Sequence, residues 1–230
     1  MKRIGIIGGI GPESTKEYYS LIIETFRKRI STSEYPEFVL YSVNMTEMLN
    51  YAFAGKIKEL LSFLKVRINV LEDSNIDFAA MASNTPHIVF DELAQSVDVP
   101  MISIVNECCM FIAETGLKKV GLLGTKSTMT KGFYQKAGKK YGLEICIPDE
   151  AEQNFVHEKY MDELVYNKIL PETKAGLVDV VHKLYNEKQI DGIILGGTEL
   201  PLVLEQEDFT DIKIFNTTQI HVNAIVDRML

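Results

Sequence analysis

A chain of 230 residues can bury the core of one large domain or of two domains of about 115 residues each. Hydrophobic residues make up 46% and charged residues 24%, which excludes a disordered or low-complexity chain. The formal net charge of −8, with Lys and Arg scattered along the chain, excludes a nucleic-acid surface, because phosphate recognition needs concentrated positive charge. In chain order, strand-like apolar runs occur at RIGIIGG, EFVLYSVN, DFAAMAS, VPMISIV, KVGLLGT, LEICIP, GIILGG and IKIFNT. Helix-length segments lie between them at 14–30, 56–74, 86–96, 103–115, 128–141, 152–167, 172–188 and 218–229. Strands alternating with helices predict parallel sheets covered on both faces, and continuous rather than alternating apolar runs point the same way. The opening MKRIGIIGG is too short an apolar stretch for a signal h-region or a membrane span, so the chain reads as cytoplasmic.

The order of elements is repeated. IGIIGGIGPESTKEYY from Ile4 returns loosely as VGLLGTKSTMTKGFY from Val120. DFAAMASNTPHIVFDEL from Asp77 returns as DGIILGGTELPLVLEQ from Asp191, and VPMISI from Val99 returns as KIFNTT from Lys213 at the same offset. The expected fold is therefore α/β, with two duplicated doubly wound subdomains and a cleft between them. Each subdomain is a mainly parallel four-stranded sheet flanked by helices. The third repeated pair sets the expected boundaries: 1–98 plus 215–230 form the first half and 99–214 the second. At the shared offset Ser83 is the counterpart of Gly197. A cleft lined by matched residues suits a reaction needing one acid/base group on each face of a substrate carbon.

In doubly wound sheets ligands bind at the carboxyl ends of the strands. Those ends carry GGIGPEST, NMTE, SNTPH, GTKSTMT, GGTELP and NTTQ, loops of hydroxyls, amides and backbone N–H groups suited to a small carboxylate. Other chemistries find no support. Gly9 and Gly11 begin a GxGxxG that would end at Ser14, and the second strand ends in Asn44 rather than an acidic residue, so a dinucleotide site is not expected. There is no GxxxxGK[ST] and no GxSxG. Cys108, Cys109 and Cys146 are odd in number and lack CxxC or Cys/His spacing, which predicts buried free thiols rather than disulfides or zinc. Of His87, His157, His182 and His221, only His87 adjoins a strand-end loop.

GIIGGIGPEST, SNTPH and GGTELP together resemble the aspartate/glutamate racemase family, in its order and spacing and over nearly the whole chain. The resemblance implies a homodimer of two-domain α/β subunits, racemising an amino acid without pyridoxal phosphate or metal, so no cofactor is expected. It also implies two catalytic cysteines, one in CNT[AP]H and one in GCTE. A thiol's pKa is readily lowered, so one thiolate can remove an α-proton while the opposite thiol returns one. Here Ser83 and Gly197 stand at those two positions. Serine is a weak base without an activating neighbour and glycine has nothing to titrate, so the two-thiol mechanism is not open to this chain. If another base acts, His87 is the first suspect.

Relatives specific for aspartate carry basic residues near the positions of Met48 and Val165, which this chain lacks, while Lys126 could supply a charge from another direction. The resemblance places Gly9 and Ile10 of the first loop, Asn84, Thr85, Thr125 and Thr198 around a bound amino acid or dicarboxylate, with Glu199 and Pro201 completing the last motif, and Lys126 joins Glu199 among the candidate binding residues. Three readings stay open. One is an amino-acid racemase homologue whose activity is residual, altered or lost, and another is a non-catalytic protein that binds a small carboxylate in the same cleft. The third, ranked last because such enzymes also rely on cysteine, keeps catalysis but changes its class, towards an isomerase or decarboxylase of the same superfamily. None involves nucleic acid or a membrane.

Overall fold

The computed structural model describes residues 1–230. The chain divides into two compact units, residues 1–107 with 218–230, and residues 108–217. In the first, β1 (Ile4–Gly8), β2 (Phe38–Ser42), β3 (Phe78–Met81) and β4 (Met101–Ile102) form a parallel sheet in the order β2-β1-β3-β4. In the second, β5 (Lys119–Leu123), β6 (Glu144–Cys146), β7 (Gly192–Leu195) and β8 (Lys213–Asn216) form a parallel sheet in the matching order β6-β5-β7-β8. All eight expected strands are present.

Two features of the layout depart from the sequence reading. The crossings between units fall after Glu107 and after Thr217, not near 99 and 215. The reason is pairing: β4 aligns Met101 with Ala79 of β3, and β8 aligns Asn216 with Leu195 of β7, so each strand closes the sheet of the unit before it. The second departure is a helix in a stretch read as a loop, α2 (Met45–Phe53), which follows α1 (Pro12–Arg29) and β2. It starts at Asn44, whose side-chain oxygen accepts a hydrogen bond from Glu47 N at 3.2 Å and so satisfies one orphan donor of the first turn.

Every residue of β1, β3 and β7 is buried, as expected of central strands covered on both faces. In the first unit one face of the sheet, with Ile4, Ile6, Phe78 and Ala80, meets Tyr18, Ile22 and Phe26 of α1 and Val222, Ile225, Val226 and Met229 of α10 (Thr217–Met229). The opposite face receives α3 (Ile57–Glu72), which comes so near β1 that a Cβ on Gly5 would lie 3.1 Å from Leu71 Cβ and 2.6 Å from Ile76 Cδ1. Gly121 of β5 repeats the device. A Cβ there would lie 2.7 Å from Leu184 Cδ2 of the helix Pro171–Lys188 and 2.6 Å from Ile193 Cδ1. No helix is long and apolar enough to cross a membrane.

Candidate functional site

In each sheet the strand order reverses between the two central strands, the position at which doubly wound folds bind ligands. Backbone hydrogen bonds tie the loops there in the same way in both units, Ala82 N to Ile7 O at 2.9 Å and Gly196 N to Leu123 O at 2.8 Å. In the first unit this brings together Gly9 and Ile10, after β1, with Ser83, Asn84 and Thr85, after β3. In the second it brings together Thr125 and Lys126, after β5, with Gly197, Thr198 and Glu199, after β7.

Gly9 adopts φ 81°, in the left-handed region that favours glycine, which turns the chain sharply out of β1. Its N–H donates to Thr15 Oγ1 at 2.8 Å, and the Thr15 hydroxyl donates in turn to Gly11 O at 3.0 Å. The first loop is thus held by a side chain of α1, and the Gly9 N–H is occupied. Ile10 is buried. Ser83, Asn84 and Thr85 are buried too, at the entry to a 3-10 turn over Thr85–Val89.

His87 lies in that turn and is held within it. Its Nδ1 donates to Ser83 O at 2.9 Å, its ring stacks on Phe90 at 5.1 Å, and burial lowers its pKa to about 3. It is therefore neutral near pH 7 and a poor base, contrary to the suspicion raised by its sequence position. The cysteines offer no base either. Cys108 and Cys109 are buried in the helix Ile104–Glu114 and Cys146 is buried in β6, all as free thiols. Burial raises the Cys108 thiol well above its usual value and Cys109 to about 12; it raises Cys146 as well, with Glu144 adding to it.

In the second unit Thr125 caps α6 (Lys126–Thr130), accepting from Thr128 N at 3.2 Å. Lys126 turns to the helix Glu150–Asp162: its Nζ donates to Asn154 Oδ1 at 2.7 Å and sits 3.9 Å from Glu150, while its backbone N–H donates to His157 Nδ1 at 3.4 Å. Its charge is engaged with side chains of that helix rather than poised over the loop. Thr198 and Glu199 are nearly inaccessible, at 1% exposure each, and the Thr198 hydroxyl donates to Glu199 Oε2 at 3.0 Å.

Tyr160, which sequence reasoning did not single out, completes this cluster. It projects from the helix Glu150–Asp162, its hydroxyl donates to the same Glu199 oxygen, and it is buried. A Cβ placed on Gly197 would overlap Tyr160 Cε2, with Cζ at 3.0 Å and the hydroxyl oxygen at 3.1 Å. Burial, and then the Glu199 charge, raise the phenol's pKa well above 10, so it keeps its proton near neutral pH. A single tyrosine in an unpatterned helical segment gives no sequence signal of this role.

Comparison with known proteins agrees with the fold. The family model for Asp/Glu/Hydantoin racemase matches residues 7–225. A broad-specificity amino-acid racemase of Bacillus subtilis (strain 168) is 31% identical over 217 residues, covering 88% of this chain and 87% of its own. The crystal structure of an aspartate racemase homologue from Pyrococcus horikoshii OT3 superposes with a TM-score of 0.84 at 36% identity, covering 100% of this chain and 99% of that one. The Picrophilus torridus aspartate racemase shares the fold with a TM-score of 0.82 at 23% identity, covering 100% and 94%. Motifs, duplicated sheets and matched relatives converge: the chain belongs to the Asp/Glu/hydantoin racemase family.

Proposed function

We propose that this protein binds a free amino acid or small dicarboxylate at the strand-end loops, as a cofactor-independent amino-acid racemase homologue with proton transfer strongly weakened. Ser83 and Gly197 are the two stations, one in each unit, at which the family motifs carry cysteines. The first unit offers Asn84, Thr85 and the loop at Gly9 and Ile10 to such a ligand, and the second offers Thr125 and Thr198, with Glu199 anchoring Thr198. The observation that carries the reading is the pair of matched polar loops at the two sheet reversals, rich in hydroxyls and amides, beside which burial keeps His87 neutral and Tyr160 protonated near neutral pH. A single acid/base group typically contributes 10²–10⁴-fold to rate, so loss of both predicts aspartate or glutamate racemisation far below the ordinary rate of about 10 per second.

The alternative, a binding protein with no catalysis, is favoured by one feature: Tyr160 fills the space where a side chain at 197 would begin. The two readings separate in one experiment. The protein is incubated with each common amino acid in D₂O, and loss of the α-proton signal is followed by NMR beside a thermal-shift screen of the same compounds. A stabilising ligand is expected, since binding to the folded state alone raises apparent stability. Slow exchange of that ligand's α-proton supports the racemase homologue; binding with no exchange supports the binding protein; turnover at ordinary rates refutes the weakened-transfer reading. A homodimer in the cytoplasm is part of the proposal, with the dimer tested by sedimentation.

A further inference from the structure

We infer that Tyr160 decides the chemistry of the second station: its ring holds the volume in which a side chain at 197 would stand, so a reactive residue can enter there only when Tyr160 is shortened. The argument is steric first. Gly197 does not have a positive φ, so its backbone conformation suits any L-residue and glycine is not required for the turn. What excludes a side chain is the ring, with three atoms, Cε2, Cζ and the hydroxyl oxygen, close around the Cβ position. The ring cannot easily yield. Its hydroxyl is bonded to Glu199, the same carboxylate oxygen accepts from Thr198, and the helix that carries Tyr160 is anchored at its start by a capping box between Asp149 and Glu152.

The consequence is chemical. The group nearest the second station is a phenol that retains its proton, hydrogen-bonded to a carboxylate, in place of a side chain on the β7 loop that could exchange one. Gly197 and Tyr160 are then an interlocked pair, and either change alone leaves the station blocked or empty. This deepens the proposed function at the same site, but its steric half stands without it.

The test uses the sign of a stability change. Gly→Ala at a position whose backbone tolerates it normally stabilises slightly, by removing freedom from the unfolded chain. Here Gly197→Ala is expected to lower the Tm by roughly 2–8 °C, as overpacking does in a protein of this size. In a Tyr160→Leu background, where the side chain is shorter but still apolar, the same substitution is expected to leave the Tm unchanged or raise it. A rise with Tyr160 intact, or an equal fall in both backgrounds, overturns the inference. The second arm compares Ser83→Cys/Gly197→Cys with the same pair carrying Tyr160→Leu, following α-proton exchange of the twenty common amino acids in D₂O. The triple variant is expected to exchange at least tenfold faster, and equal measurable rates overturn the inference. If the sign reversal appears and neither variant exchanges any amino acid, the pairing stands and the amino-acid reading of the site falls.

Discussion

Thr15 shows how much a single side chain can carry. Its hydroxyl accepts from Gly9 N and donates to Gly11 O, so one buried oxygen satisfies the first strand-end loop from both sides. Thr15→Val keeps the shape and removes both bonds, leaving a buried N–H without its acceptor. The expected cost is about 1–3 kcal/mol in urea unfolding, with Thr15→Ser restoring most of it. A Thr15→Val protein as stable as the parent would mean that the loop has another support. Legibility was uneven among individual residues. The matched positions 83 and 197 could be read because the repeat aligns them, whereas Tyr160 owes its importance to a contact across 39 residues that no motif records. Lys126 was legible as a loop cation, but its commitment to Asn154 depends on how the following helix lies.

The elements were legible where burial is simple. The central strands β1, β3, β5 and β7, covered on both faces, leave a continuous apolar run, and the four edge strands were visible as shorter apolar runs. The missed α2 had a signal: Asn44 followed three residues later by Glu47 is a helix start, and the loop reading overlooked it. Asn44→Ala should cost about 1 kcal/mol, measured as a lower urea midpoint with unchanged slope. An unchanged midpoint would show that packing of Met48, Leu49 and Ala52 alone holds the helix. Three expected helices proved to be interrupted, and the segment read as 86–96 is a 3-10 turn as far as Val89 and an α-helix only from Phe90. The segment read as 128–141 breaks at Gly132, with φ 78°, and the segment read as 152–167 ends its α-helix at Asp162 and turns out at Asn167, with φ 56°. Periodicity cannot register such left-handed residues, because they change the chain direction without changing the apolar pattern.

At the scale of the molecule, the first unit contains two buried imidazoles. His221 Nδ1 lies 2.9 Å from the Tyr18 hydroxyl, and burial, with His87 nearby, lowers its pKa to about 3, where burial also places that of His87. Both pKa values are depressed below the ordinary 6.5, so between about 6.5 and 3 the unfolded chain binds protons that the folded protein refuses. Stability therefore rises with pH across that window and is fully present above it. Each pH unit lost below about 6.5 should cost about 1.4 kcal/mol per imidazole. The urea midpoint measured from pH 8 to pH 5 should be flat at first and then fall, before carboxylates contribute. A midpoint constant from pH 7 to 5 would contradict the burial of these rings.

The division of the chain also sets a timetable for its synthesis. Residues 108–217 are contiguous and are all made before the last helix has passed its first residue. The first unit must wait, because α10 supplies Val222, Ile225, Val226 and Met229 to the face formed by Ile4, Ile6 and Phe78, and Met229 O accepts from Lys2 N at 2.8 Å. On the ribosome the oldest strand thus stays open on one side while an entire later unit can fold. A chain stalled after residue 217 should present a protease-resistant second unit and a first unit that binds chaperones through its uncovered sheet.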